Sequence, residues 1–119
     1  MLIELLKCKI HRATVTDACL DYEGSITIDR ELMLAAGLCE HEKVHVLNLN
    51  NGERFETYVI EGKAKSGTIC LNGAAARLVQ KNDLVIIVSY VRMSPEEAKS
   101  WNPRVVKVNV KNKIIGGRK

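Results

Sequence analysis

KVHVLNLNNGERFETYVIEG, residues 43–62, consists of two alternating runs on either side of Asn51-Gly52. Val44 and Val46 alternate with Lys43 and His45, and the second run, from Arg54 to Gly62, is rich in β-branched and aromatic residues. A period of two puts successive side chains on opposite faces of a strand. Asn-Gly is the dipeptide that most readily takes up the positive φ of a tight reversal. The stretch predicts a β-hairpin with one face turned to a core, and it makes the chain a β-protein before any other segment is read.

The flanking segments extend that reading. LIELLKCKIHRATVT (2–16) reads as one or two strands, SITID (25–29) and GTICL (67–71) as short ones. NDLVIIVSYVRM (82–93) is continuous and apolar, which predicts a strand buried on both faces. RVVKVNVKN (104–112) reads as the last strand, with GGRK (116–119) a loose tail. Three short helices interrupt the strands. RELMLAAGL has helical spacing, with Asp29 as N-cap and Gly37 as stop. NGAAARLV opens on Asn72 as a candidate N-cap. SPEEAKSW carries a capping box, Ser94 with Glu97, and Pro95 at the first helical position. Six to eight strands with three helices fit a small, mainly β barrel with helices over its ends. No internal repeat, linker or low-complexity segment is visible.

Bulk properties bound the function. A chain of 119 residues, 46% hydrophobic and 27% charged, suits one domain, residues 1–119, with a packed core. The net charge is +4, and acids interrupt nearly every basic cluster. The alternative reading from another class is a small dimeric β-protein that binds nucleic acid. It needs Lys and Arg gathered on one surface, so no nucleic-acid partner is expected. Cys8, Cys19, Cys39 and Cys70 show no C-x-x-C spacing and read as free thiols in a reducing compartment. His41 and His45 share no ligand spacing with them, so no metal is expected. No apolar run approaches the ~20 residues of a membrane helix, and no signal peptide is apparent, so the expected location is cytoplasmic with no membrane partner. Trp101 is expected to pack the last helix.

DYEGSITID, residues 21–29, raises a chemical question. A serine hydroxyl can attack the carbonyl just before it and turn that amide into an ester. The attack needs a strained turn, which Gly24 can supply, and a donor for the oxyanion. Lys9 and His11, two apart on a strand, share a face. Arg54, Thr57 and Tyr58 lie on the return strand of the hairpin, and Asn72-Gly73-Ala74-Ala75 opens a helix whose free N–H groups can hold an anion or a carbonyl oxygen.

Four blocks, KIHRATVT, YEGSITID, NGERFETY and NGAAA, occur in this order and spacing. Together they resemble the pyruvoyl-dependent aspartate 1-decarboxylase family over nearly the whole chain. The resemblance implies a double-psi β-barrel and a homotetramer with sites at subunit contacts. It implies a proenzyme cut between Gly24 and Ser25, with Ser25 becoming a covalently bound pyruvoyl group and no metal or pyridoxal phosphate required. The implied reaction converts L-aspartate to β-alanine and CO2 through a Schiff base, for pantothenate and coenzyme A. By the same resemblance Thr57 handles the oxyanion or a proton and Tyr58 is the proton donor. Arg54 and Lys9 hold the substrate carboxylates, His11 contacts substrate, and Asn72 with the Gly73, Ala74 and Ala75 amides fixes the Schiff-base end. A relative that no longer processes itself is disfavoured, because Gly24, Ser25, Thr57 and Tyr58 are all present. Leu47 stands where some relatives carry an aromatic. A maturation helper, if one exists, is not indicated by the residues.

Thr57 and Tyr58 pose a geometric difficulty. In an ideal strand they face opposite sides, so lining one pocket calls for either a bulge or a site shared between subunits.

Overall fold

The computed structural model of the chain describes residues 1–21 and 23–118; Tyr22 of the YEGS block and Lys119 of the tail lie outside the described residues. The strands are β1 (Ile3–Thr14), β2 (Asp17–Cys19), β3 (Ser25–Asp29), β4 (Lys43–Asn48), β5 (Arg54–Gly62), β6 (Ile69–Asn72), β7 (Leu84–Met93), β8 (Arg104–Val108) and β9 (Ile114–Arg118). Helix α1 (Arg30–Ala36) follows β3, a 3₁₀ helix (Gly73–Leu78) follows β6, and α2 (Pro95–Ala98) follows β7.

The strand order is β2-β6-β3-β5-β4-β7-β1-β8-β9. Because β2 continues β1 after a short bend, this sheet returns on itself. At the bend Thr16 donates its backbone N–H to the Ile69 carbonyl at 2.8 Å, and its hydroxyl bridges the Ile69 N–H and C=O. The chain that paired with β7 and β8 as β1 thus pairs with β6 as β2, and six strands close into a barrel. Two pairings within it are parallel, β2 with β6 and β3 with β5. Exchanging the β1/β2–β3–β4 half with the β5–β6–β7 half maps every barrel pairing onto another of the same sense. Two such crossed parallel pairings, related by an internal two-fold, make the double-psi β-barrel expected above. The two-fold lies in the hydrogen-bonding pattern, which is why no repeat shows in the residues.

Inward positions carry the core. Ile10, Ile26, Ile28, Val44, Val46, Val59, Ile69, Leu71, Val85 and Ile87 are almost wholly removed from water. Each such side chain contributes about 1.5–3 kcal/mol of hydrophobic stabilisation. The helices seal the ends. Asp29 caps α1 by accepting from Glu31 N at 2.8 Å, and its carboxylate also takes the N–H groups of Lys65 and Gly67. Gly37 ends the helix in the left-handed region. Ser94 and Glu97 form the capping box of α2.

Three expectations need correction. The tail is not loose up to Arg118: β9 pairs with β8, and Gly117 at φ 146° lets it approach where a Cβ would run into the Val105 carbonyl. β7 is not buried on both faces, since Leu84, Ile86, Tyr90 and Val91 stay half-exposed and Arg92 is exposed. The last helix stops at Ala98, short of Trp101, which is just over a third exposed, donates its backbone N–H back to the Ala98 carbonyl and donates its indole N–H to the Leu6 carbonyl of β1 at 2.8 Å. Among the described residues all four cysteines are free thiols, and no helix is long and apolar enough to cross a membrane.

Candidate active site

Ser25 is the first residue of β3, and pairing fixes what surrounds it. Across the antiparallel β3–β6 pair it faces Asn72, while Thr27 faces Cys70. Ile26, Ile28, Ile69 and Leu71 point into the core, so Ser25, Thr27, Cys70 and Asn72 share the outer face. On the other side Ile26 pairs in parallel with Val59. Continuing that register toward the strand starts brings Ser25 level with Tyr58 and Gly24 level with Thr57. Lys43 lies opposite Tyr58, and Cys19 beside Asn72. One row of side chains therefore crosses five strands on the outside of the barrel: Cys19, Asn72, Ser25, Tyr58, Lys43.

Ser25 is 6% exposed, and its Oγ accepts a hydrogen bond from Asn72 Nδ2 at 2.9 Å. The same nitrogen donates to Thr27 Oγ1 at 3.1 Å, and Asn72 Oδ1 accepts from Cys70 Sγ at 3.3 Å. Asn72 occupies the N-cap position of the 3₁₀ helix, but its side chain makes no capping bond. The amide is spent on the serine instead, which corrects the helix-cap reading of Asn72.

Gly24, Thr57, Tyr58, Ala74 and Ala75 border a cavity of about 360 Å³. No bulge is needed to bring Thr57 and Tyr58 there, because β5 pairs with β4 through both residues without a register shift. The cavity lies where the ends of β3 and β5 meet the 3₁₀ helix, so both faces of β5 reach its rim. Gly24 is not among the residues with positive φ, contrary to the expectation of a strained turn. What glycine leaves here is space: a Cβ at position 24 would meet nothing within 4 Å. Tyr58 is half-buried, its ring tilted against His41 with centroids 6.3 Å apart.

A family model described as Aspartate decarboxylase matches residues 1–115. The chain belongs to the aspartate decarboxylase family. The curated "Aspartate 1-decarboxylase" of Caldicellulosiruptor saccharolyticus is 66% identical over 115 residues, covering 97% of this chain and 90% of that one. The protein of the same name from Acetivibrio thermocellus is 65% identical, covering 97% and 91%. That from Campylobacter hominis is 60% identical, covering 97% and 99%. Among solved structures, the computationally designed msDPBB_sym2 protein aligns with a TM-score of 0.44 at 17% identity, covering 73% of this chain and 96% of that one. The fold described above rests on its own strand order and not on that likeness.

Within one aspartate decarboxylase chain the remaining candidates stand apart from Ser25. Arg54 lies on the outer face of β5, four residues from Tyr58, and donates from Nη2 to Tyr90 Oη at 3.1 Å. Tyr90 in turn meets the His45 ring edge-on at 5.2 Å. Leu47, on β4, is the strand partner of both Arg54 and Ile86. Lys9 and His11 do share a face, the outer face of β1, as Cys8 and Ile10 turn inward. Counting β1 and β2 as one strand, that wall lies two strands from β3 through β6 and four strands from it the other way around the barrel. His11 opens instead on a separate cavity with Arg12 and Lys107. Its Nδ1 is buried with no hydrogen-bond partner among the described residues. Burial, then the cations of Lys9, Arg12 and Lys107, push its pKa below the ordinary histidine value. Thr27 and Cys70, which touch Asn72, were not candidates from the sequence. Their i, i+2 spacing to Ser25 and Asn72 is visible there, but the β3–β6 pairing that unites them is not.

Proposed function

We propose that this chain cuts itself between Gly24 and Ser25 and then decarboxylates L-aspartate to β-alanine, a precursor of pantothenate and coenzyme A. The observation that carries this reading is a buried serine at the head of a strand. Its Oγ is held by Asn72 at 2.9 Å, and the preceding glycine opens on the cavity of Thr57 and Tyr58.

The self-cleavage starts with an acyl shift. Ser25 Oγ bonds to the Gly24 carbonyl carbon, the Gly24–Ser25 C–N bond breaks, and the hydroxyl proton passes to the freed nitrogen. Thr57, level with Gly24, is placed to donate to the carbonyl oxygen as charge builds on it. The shift leaves the two parts joined by an ester; loss of the residue-25 Cα proton then expels the Gly24 carboxylate as the Cβ–Oγ bond breaks, and water replaces the nitrogen, which leaves as ammonia. The cut leaves the barrel intact. Residues 1–24 remain paired through β1 with β7 and β8 and through β2 with β6, while residue 25 stays anchored in β3 between β5 and β6. The fit for a pyruvoyl group at residue 25 is good, because its position keeps the Asn72 amide as a hydrogen-bond donor. When present, that group supplies a ketone that binds an amine and withdraws electrons as a carboxylate departs.

The chain's own residues do the rest. Arg54 offers a planar fork to the side-chain carboxylate of aspartate. Tyr58 donates a proton at the reacting carbon. Asn72 and the Gly73, Ala74 and Ala75 amides hold the reacting end. Lys9, for the departing carboxylate, and His11 come from a neighbouring copy in a homotetramer, which accounts for their place on a wall away from Ser25 and for the half-exposed face of β7.

The deciding experiment is intact mass of the purified protein together with assay for β-alanine. Two chains are expected, residues 1–24 and 25–119, the second lighter by one ammonia than a chain beginning with serine. A single uncut mass after prolonged incubation overturns the reading. Arg54→Ala tests the substrate contact. It should cut normally, with kcat/KM for aspartate lower by roughly 10- to 100-fold, since charge-assisted hydrogen bonds are worth about 1.5–3 kcal/mol. Unchanged saturation with aspartate removes Arg54 from the site.

A further inference from the structure

One amide serves Ser25, and two residues outside the site decide which end of it faces the serine. Asn72 Nδ2 points at Ser25 Oγ and Thr27 Oγ1, and Oδ1 points at Cys70 Sγ. We propose that Cys70 and Thr27 are positioning residues for self-cleavage, locking the Asn72 amide with its NH2 group toward Ser25. The inference rests on the reading that Ser25 attacks Gly24.

The two ends of an asparagine amide are nearly equal in size, so packing alone does not choose between them. Hydrogen bonding does. In the observed orientation Ser25 Oγ receives a hydrogen bond, which stabilises the charge that gathers on it as its proton leaves. The hydroxyl hydrogen is then free to depart. With the amide turned over, Oδ1 would face Oγ and accept that hydrogen. An amide oxygen is not a base, so the proton would be held rather than removed.

Cys70 breaks the tie. A thiol is a donor to Oδ1 as observed, whereas sulfur is only a weak acceptor for the NH2 group of a turned amide. Burial, then the charges of Asp17 and Cys19, raise the Cys70 pKa, so the thiol keeps the hydrogen it needs. Thr27 takes the second amide hydrogen, leaving neither N–H idle at a residue that is 5% exposed. Both side chains reach Asn72 for one geometric reason: Thr27 pairs with Cys70 directly beside the Ser25–Asn72 pair.

The experiment follows conversion of the 119-residue precursor into chains 1–24 and 25–119 by intact mass after a pulse of cell-free synthesis. Cys70→Ala removes the donor, Cys70→Ser restores one, and Thr27→Val removes the acceptor while keeping the shape. Cys70→Ala should cut roughly tenfold more slowly than wild type, and Thr27→Val roughly three- to tenfold more slowly, the range set by one lost hydrogen bond. Cys70→Ser supplies a hydroxyl that accepts as readily as it donates, so the amide is no longer locked and this variant should cut as slowly as Cys70→Ala while keeping the better melt. Thermal melts of all variants are run alongside. A merely structural role would let the cutting rate follow the melt, so that the serine variant cut faster than the alanine one. Should Cys70→Ala fail to fold, Thr27→Val against Thr27→Ser decides the question. Cutting at the wild-type rate by Cys70→Ala or by Cys70→Ser overturns the positioning role. If the wild-type chain itself never cuts, the reading of Ser25 falls and takes this one with it. If wild type cuts and the alanine variant keeps pace, only the positioning role falls.

Discussion

Ser25→Ala should yield a whole 119-residue chain that folds, stays uncut and turns over no aspartate, with activity at most about a thousandth of wild type. The substitution removes one oxygen from a side chain that is already 6% exposed, so the barrel loses little. Asn72 Nδ2 keeps its bond to Thr27 and gives up the one to Ser25, which costs stability on the order of 1 kcal/mol. The chemical loss is total by comparison. Without Oγ no atom is placed to attack the Gly24 carbonyl, and residue 25 cannot acquire a ketone. Two measurements read different links of the chain of inference. Intact mass reports the cut. Hydrazine labelling reports a reactive carbonyl, expected in the wild-type protein and absent from the variant. An uncut Ser25→Ala chain that still made β-alanine would detach the activity from residue 25 altogether.

What the sequence displayed, and what it hid, divides along the range of the interactions. The 43–62 hairpin was legible because Val44, Val46 and Val59 mark the inward face at period two and Asn51-Gly52 marks the turn. The helix ends were legible because Asp29 and Ser94 cap within three residues of themselves. A barrel was expected, but the strand exchange that closes it was not visible. It depends on Thr16 exchanging one partner strand for another, with Ile69 more than fifty residues away. β9 was hidden for a related reason, since Gly116-Gly117 reads as slack until Val105 shows that only glycine fits there. The site divides in the same way. Gly24, Ser25, Thr57 and Tyr58 were proposed from motif blocks, and strand register brings those blocks side by side. Thr27 and Cys70 carry no motif signal. They emerge only when β3 and β6 are laid side by side. The separation of Lys9 and His11 from Ser25 was likewise invisible, because a block pattern gives order along the chain and not position around a barrel.

Tyr58→Phe should cut at the wild-type rate and then turn over aspartate roughly 10²- to 10⁴-fold more slowly, the range for loss of a positioned general acid. The substitution deletes only the phenolic oxygen. The ring stays tilted against His41, and the pairing of Tyr58 with Lys43 is a backbone property that phenylalanine keeps. The cavity beside Gly24 therefore keeps its shape, and the acyl shift, which uses Ser25, Asn72 and Thr57, has no need of that oxygen. With substrate binding assigned to Arg54 and Lys9 in the proposed reading, KM should change little while kcat and kcat/KM fall together, the signature of an interaction made only in the transition state. On the proposed reading Tyr58 is the proton source: the β3–β5 register, continued one residue before the Ile26–Val59 pair, brings it level with residue 25, one strand spacing of about 4.8 Å away. A turnover number within twofold of wild type would reduce Tyr58 to a packing residue beside His41. A loss of cutting would instead assign the phenol to the first reaction, on the Gly24 carbonyl, rather than to the second.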